Sequence, residues 1–322
     1  MKIVFLDTTT IGDKISLDSI AREGDLKIYK VTSPTEIAAR IKEADVVLTN
    51  KVAINIGAQE LTQVKKLKLI CVVATGYNNV DLQAAKQKNI VVTNVAGYST
   101  DAVAQTVFAY ILNFYNLVPK YDQAVKKGEW SKSHIFALLK YNITELAGKT
   151  LGIIGYGIIG QRVAKIARSF GVKVITTSRS ETKYNEGFRV ELPELLAQSD
   201  VITIHTPLTP ETENLIGASE LEMMKPEAIL INAARGGIVN EDDLYQALKQ
   251  KKIKAAALDV MAEEPPRQGS KLFELDNIII TPHIAWATRE SRQRLIEGVA
   301  ENIRKFKAGK AAEIDLCRQI KN

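Results

Sequence analysis

Cysteine is nearly absent from this chain: Cys71 sits in an apolar run and Cys317 near the C-terminus, and neither belongs to a metal-ligand spacing. That scarcity excludes a disulfide scaffold and points to reduced thiols with no bound metal. Long apolar runs are missing too, since none approaches the roughly 18 residues of a membrane span. The opening Met1-Lys-Ile-Val-Phe-Leu-Asp7 enters a strand-like pattern without an h-region or a small-residue cleavage site, so no membrane partner and a cytoplasmic location are expected. Basic stretches with interleaved aromatics are lacking as well. The net charge of +6 comes from dispersed lysines, and the groups Lys65-Lys66-Lys68 and Lys249–Lys254 are interrupted by apolar residues. Nucleic acid is therefore not an expected partner, and the charge implies at most a general attraction for small anionic substrates.

What is present is alternation. At 322 residues the chain exceeds one average domain, so two are expected. Strand candidates Ile3–Leu6, Leu26–Tyr29, Val46–Thr49, Leu69–Val73 and Ile90–Thr93 are separated by helical patterns, one of them opened by the capping box Ser33-Pro-Thr-Glu36. A second series starts at Lys149 and continues through Val172–Thr177, Val201–His205, Ala228–Ile231, Ala255–Asp259 and Asn277–Thr281. Such alternation predicts an α/β fold with parallel sheets covered by helices. Helical patterns at Thr100–Leu117 and Thr288–Lys307 flank the second series and are the natural crossings between domains. The second of them is expected to return to the first domain. The segment Pro119–Leu146, with Trp130, His134 and Phe136, has weak periodicity and reads as an arm toward a partner subunit.

Gly155-Tyr-Gly157-Ile158-Ile159-Gly160 follows the apolar run Lys149–Ile154 and opens a helical pattern. A dinucleotide pyrophosphate needs this arrangement. The first glycine makes the turn, the second removes a Cβ so that phosphate reaches backbone N–H groups, and the third allows close helix–strand packing. The carboxylate that usually follows the second strand and accepts the adenosine ribose is missing, and the chain reads Thr176-Thr-Ser178-Arg179-Ser180 instead. Ser178 and Arg179 are suited to a 2′-phosphate, so NADP(H) is favoured. A solvated Arg179 with NAD(H) as the cofactor is the alternative.

Three later segments end β runs with polar side chains: Asn232–Gly237 with Arg235, Asp259–Pro265 with Glu264, and Thr281–Trp286 with His283. In an open α/β sheet ligands bind beyond the carboxyl ends of strands, which places all three near the cofactor. Histidine titrates near neutrality, a neighbouring carboxylate favours its protonated form, and arginine holds a carboxylate by two parallel hydrogen bonds. The set suits reduction of a 2-oxo acid. Taken singly, Arg235 reads equally as a surface ion pair, Glu264 as a solvated carboxylate and His283 as a satisfied buried side chain.

With Gly155-x-Gly157-x-x-Gly160, Ser199–Leu208, Met224–Gly237, Glu264-Pro265 and Thr281-Pro-His283 in this order, essentially the whole chain resembles the D-isomer-specific 2-hydroxyacid dehydrogenase family. The resemblance implies two domains: a flavodoxin-like substrate domain, 1–99 completed by 288–322, and a doubly wound Rossmann domain, 100–287, carrying the dimer arm 119–146. It implies that Arg235 binds the substrate carboxylate, that His283 protonates the carbonyl oxygen as hydride is transferred, and that Glu264 holds His283 protonated. It assigns the carboxylate-binding backbone to Thr75-Gly76. Cofactor-lining positions are Ile158, Ile159, Ser178, His205, Thr206, Pro207, Ala233, Ala234, Asp259, His283 and Trp286, with Asp259 near the nicotinamide amide. His205 is expected to pack beside the cofactor rather than act as an acid.

Two positions depart from the family pattern without touching this chemistry: Asn240 stands where Asp is frequent, and Gln105 where Glu is. The chain ends about 39 residues after His283, which leaves no room for an added regulatory domain of the kind found in longer phosphoglycerate dehydrogenases. Thr49-Asn-Lys-Val52, Ala96–Gln105 and Trp286 look most like the hydroxypyruvate/glyoxylate reductase (glycerate dehydrogenase) branch. The expected activity is therefore transfer of a hydride from a nicotinamide cofactor to a small 2-oxo acid, giving the D-2-hydroxy acid, by a homodimer. D-lactate or another D-2-hydroxy acid is the alternative substrate, and a nucleotide-gated corepressor-type binding protein on the same fold is the alternative class.

Overall fold

The structure is a computed structural model that describes residues 1–50, 54–77, 79–177 and 188–311. The chain divides into two compact units, Met1–Ser99 with Ala287–Asn322, and Thr100–Trp286. Ser178, Arg179 and Cys317 lie outside the described residues, as do 51–53.

In the first unit five parallel strands, β1 (Lys2–Phe5), β2 (Asp25–Ile28), β3 (Val46–Thr49), β4 (Leu69–Val72) and β5 (Val91–Thr93), lie in the order β2-β1-β3-β4-β5. This is the flavodoxin-like order. β3 and β4 read as unbroken apolar or small runs because every position in them is buried, as a parallel strand covered on both faces requires. The edge strand β2 is mostly exposed. Ser33 and Glu36 form the expected capping box, but the chain first makes a 3₁₀ turn over Pro34–Glu36 and becomes α-helical at Ile37–Ile41. Asp81 caps Leu82–Gln87 by accepting from the Ala84 N–H at 2.9 Å.

The C-terminal helix Arg289–Lys307 belongs to this unit, capped by Thr288. Its Arg292 donates to the Ile11 carbonyl at 2.6 Å, and Lys307 pairs with Glu23 at 2.8 Å. Cys71 is fully buried, where burial pushes its thiol up to about 12.

The second unit carries seven parallel strands, β6 (Thr150–Ile154), β7 (Lys173–Thr177), β8 (Phe188–Arg189), β9 (Val201–Ile204), β10 (Ile229–Asn232), β11 (Ala255–Leu258) and β12 (Ile278–Ile280). Their order, β12-β11-β10-β9-β6-β7-β8, reverses between β6 and β9. That reversal is the switch point of the doubly wound dinucleotide fold. β9, β10 and β11 are buried at every position, and apolar clusters cover both faces of the sheet.

The expected arm differs from its sequence reading. Val118–Lys126 is an α-helix with Pro119 in its first turn, and Trp130–Lys132 is a 3₁₀ turn. Only Ala124 of that helix is buried, so it has no apolar stripe to read. The remainder is irregular but bonded: Tyr121 Oη donates to the Tyr141 carbonyl and Trp130 Nε1 to that of Phe136. Phe136 is 93% exposed and Leu139 80%. Among the described residues, no helix is long and apolar enough to cross a membrane, and no cluster of His, Cys, Asp and Glu offers a metal site.

Candidate active site

β6 delivers the chain to Gly155, whose φ of +90° lies where side chains are rarely tolerated. A Cβ here would also stand 2.7 Å from the His205 carbonyl carbon and 2.8 Å from the Thr206 nitrogen. The turn after β6 therefore meets the chain leaving β9 backbone to backbone, at the switch point. Gly157 is the N-cap of the helix Ile158–Ser169, and a Cβ on it would meet nothing within 4 Å. The space before that helix N-terminus is open, and its amides and dipole suit a pyrophosphate. A Cβ on Gly160 would come within 2.4 Å of the Gly155 carbonyl oxygen, which makes it the close-packing glycine. Ile158 is exposed, while Ile159 packs against the core. These residues fit a dinucleotide.

His205, Thr206 and Pro207 follow β9 beside this turn. The His205 N–H donates to the Ile154 carbonyl at 2.7 Å, and ring Nε2 lies 3.0 Å from Thr203 Oγ1. Enclosure of the ring pushes its pKa down to about 4, so it is neutral at working pH and unsuited to donating a proton. Thr212 Oγ1 donates to the Pro207 carbonyl.

Arg235 stands at the end of β10 on a turn shaped by one buried side chain. Asn232 Oδ1 accepts from the Ala234 N–H at 3.0 Å, and its Nδ2 donates to the Arg235 carbonyl at 2.8 Å. Ala233 and Ala234 are partly exposed along this turn, and Arg235 Nη1 donates to the Ala234 carbonyl. The next residue ties the turn to the loop after β11: a Cβ on Gly236 would fall 1.8 Å from the Met261 carbonyl oxygen. Arg235 and the Glu264 loop are thereby held in fixed register. Neither Asn232 nor Gly236 has a role assigned from sequence, although both lie inside the segment that carries Arg235.

The Glu264 carboxylate works in two directions. Oε1 accepts from the Met261 N–H at 3.0 Å, and Oε2 lies 2.7 Å from His283 Nδ1. A carboxylate only accepts, so Nδ1 carries the hydrogen and the ring's Nε2 faces away from the pair. His283 itself has φ +55°, an unusual conformation for a residue with a side chain. Its N–H donates to the carbonyls of Asp259 and Thr281 at 2.7 and 3.0 Å.

Asp259, fully buried, accepts from the Ile284 N–H and Thr281 Oγ1 on Oδ1 and from the Ala285 N–H on Oδ2. The sequence reading gave Asp259 only a place near the cofactor; in the fold it also organises the histidine loop. Trp286 closes that loop and is partly exposed.

In the first unit Thr75 and Gly76 follow β4. Thr75 Oγ1 donates to the Val95 carbonyl at 3.2 Å, and Asn94 Nδ2 donates to the Thr75 carbonyl at 2.6 Å. Asn240 caps the helix Glu241–Lys249 through the Asp243 N–H, a position that Asn and Asp fill about equally well. Gln105 is exposed.

Residues 108–285 match the model of the family described as D-isomer specific 2-hydroxyacid dehydrogenase, NAD binding domain. The chain is 42% identical over 320 residues to a glycerate dehydrogenase of Methylorubrum extorquens, covering 97% of this chain and 98% of that one. An acyclic imino acid reductase in complex with NADPH and D-Arg superposes with a TM-score of 0.87 at 30% identity, covering 98% of this chain and 100% of that one. A D-lactate dehydrogenase of Aquifex aeolicus, complexed with NAD and lactic acid, gives a TM-score of 0.81 at 31% identity, covering 99% and 97%.

Proposed function

Because this chain belongs to the D-isomer specific 2-hydroxyacid dehydrogenase family, we propose that its dehydrogenase activity is directed at a small polar 2-oxo acid, hydroxypyruvate or glyoxylate, with D-glycerate or glycolate as the reduced product. The observation that carries the reading is the 2.7 Å pair between Glu264 Oε2 and His283 Nδ1, on a loop backbone-locked to the one bearing Arg235. Arg235 holds the substrate carboxylate by two parallel hydrogen bonds and polarises the adjoining carbonyl. Glu264 orients the imidazole by accepting the Nδ1 hydrogen, and Nε2, left facing away from the pair, gives its proton to the carbonyl oxygen. When bound, the nicotinamide supplies the hydride to the carbonyl carbon, so the two-electron reduction balances.

The unit 1–99 with 288–322 is proposed as the substrate domain, with the Thr75 and Gly76 backbone recognising the carboxylate; 100–287 is the dinucleotide domain. The turns bearing Gly155, Gly157, Gly160, Ile158, Ile159, His205, Thr206, Pro207, Ala233 and Ala234, together with Asp259 and Trp286, line the cofactor. NADP(H) is the favoured form, supported by Ser178 standing where a carboxylate usually follows this strand and by the presence of Arg179 beside it. The glycerate dehydrogenase of similar length supports the substrate class. A homodimer formed through 119–146 and a cytoplasmic location complete the reading.

Steady-state turnover with hydroxypyruvate, glyoxylate, pyruvate, a phosphorylated hydroxypyruvate and a branched 2-oxo acid, each with NADH and NADPH, tests it. Hydroxypyruvate or glyoxylate gives the highest kcat/KM. A preference for pyruvate or the branched acid overturns the substrate assignment, and absence of turnover on the whole panel overturns the enzyme reading in favour of a binding module.

A further inference from the structure

The left-handed turn at His283 is held from an element remote in sequence. Tyr110, buried on the helix Thr100–Asn116, places its hydroxyl against Thr281 Oγ1. Thr281 Oγ1 is also 2.6 Å from Asp259 Oδ1. A carboxylate has no proton to give and a threonine hydroxyl has one, so Thr281 donates to Asp259 and Tyr110 must donate to Thr281. The direction of the chain is thereby settled: Tyr110 to Thr281 to Asp259. Asp259 then fixes three consecutive amides, with its carbonyl accepting from His283 and its carboxylate from Ile284 and Ala285.

We propose that Tyr110 and Thr281 are positioning residues for the reaction: their hydroxyls orient Asp259, and Asp259 holds His283 in the backbone conformation in which its ring meets Glu264. The inference rests on His283 being the proton donor. Burial pushes the Tyr110 hydroxyl up to about 12, so it stays a donor throughout the working pH range. All four residues belong to the same unit. The network adds to Glu264 a second line of control over the histidine, acting on its backbone where Glu264 acts on its ring.

Tyr110→Phe and Thr281→Val each delete one hydroxyl with little change in shape. Each should lower kcat for 2-oxo acid reduction by about 10-fold, since modest misplacement of a catalytic group has large kinetic cost. KM and cofactor affinity, read by fluorescence quenching, should stay within about 3-fold. The double variant should be no worse than the poorer single one, because both break the same chain. Thr281→Ser keeps the donor and should restore most of kcat.

A merely structural role would lower Tm while leaving kcat per folded molecule at wild type, and that result overturns the proposal. If Thr281→Val does not fold, Tyr110→Phe with the same readouts decides the question. His283→Asn separates the two levels. Wild-type turnover in His283→Asn defeats the proton-donor reading and this inference with it; a crippled His283→Asn beside unaffected Tyr110→Phe and Thr281→Val defeats the positioning role alone.

Discussion

Gly236 and Met261 come together backbone to backbone: a Cβ on the glycine would stand 1.8 Å from the Met261 carbonyl oxygen. Met261 in turn donates its N–H to Glu264 Oε1. The turn bearing Arg235 and the loop bearing Glu264 are thus one rigid piece, and any side chain at 236 must separate them. Gly236→Ala should destabilise the protein by about 1–3 kcal/mol, as overpacked interiors do, and lower turnover beyond what the loss of folded protein explains. Urea denaturation and kcat on the folded fraction measure the two effects. An unchanged denaturation midpoint would show that the loops can part at no cost.

The chemistry itself should depend on His283 and Arg235. His283→Asn or Arg235→Ala should leave cofactor binding within a few fold and lower kcat/KM by about 10²–10⁴-fold, the range general acid–base groups contribute. A folded variant retaining near wild-type kcat/KM removes that residue from the mechanism.

His205 gives the acid limb of the stability curve a definite sign. Enclosure depresses its pKa from the ordinary 6.5 to about 4, so between those values the unfolded chain binds a proton that the folded chain refuses. Its contribution is fully present above about pH 6.5 and is lost as pH falls toward 4, on the order of 3 kcal/mol in all. His205→Gln should therefore show a shallower loss of stability than wild type across that window, measured as urea midpoints at several pH values. Parallel curves for the two proteins would refute the neutral, enclosed ring.

Cofactor choice should turn on residues 178 and 179. A hydroxyl and a guanidinium at these positions would favour a 2′-phosphate, which a carboxylate would repel. One charge-assisted hydrogen bond is worth roughly 1.5–3 kcal/mol, so NADPH should be preferred by about 10- to 100-fold in kcat/KM. Ser178→Asp should reverse the ratio and Arg179→Ala should erode it. Equal or better use of NADH by wild type ends the phosphate-site reading.

The arm should govern assembly. Phe136 and Leu139 are apolar and almost wholly exposed in the single chain, an arrangement that usually marks a contact surface. Sedimentation at micromolar concentration should give a dimer, and Phe136→Asp with Leu139→Asp should yield monomer. A monomeric wild type rules out the homodimer formed through 119–146.

Much of the fold was written in local patterns. Fully buried strands such as β3, β4, β9 and β10 read as short runs of apolar or small residues because both of their faces are covered. The glycine turn announced itself because its spacing answers to the geometry of one strand, one turn and one helix. Arg235, Glu264 and His283 stood out as candidates because each lies in the segment that follows a strand of a parallel sheet, and all such ends point the same way. Local pattern failed where the element was too short or too exposed to carry a period: the two residues of β8, and the helix Val118–Lys126 with its single buried alanine.

It failed altogether for relationships between distant segments. Nothing in the neighbourhood of Tyr110 says that its hydroxyl meets Thr281, and nothing around Gly236 says that Met261 passes within touching distance. Periodicity reports which face of an element is covered, and only the packing of one element on another decides what covers it. The amino-acid order therefore determined the sheets, the glycine turn and which side chains stand as candidates at the strand ends. The tertiary structure alone decided how His283 is held, because the groups that hold it come from the ends of β11 and β12 and from a helix whose Tyr110 is 171 residues away from Thr281.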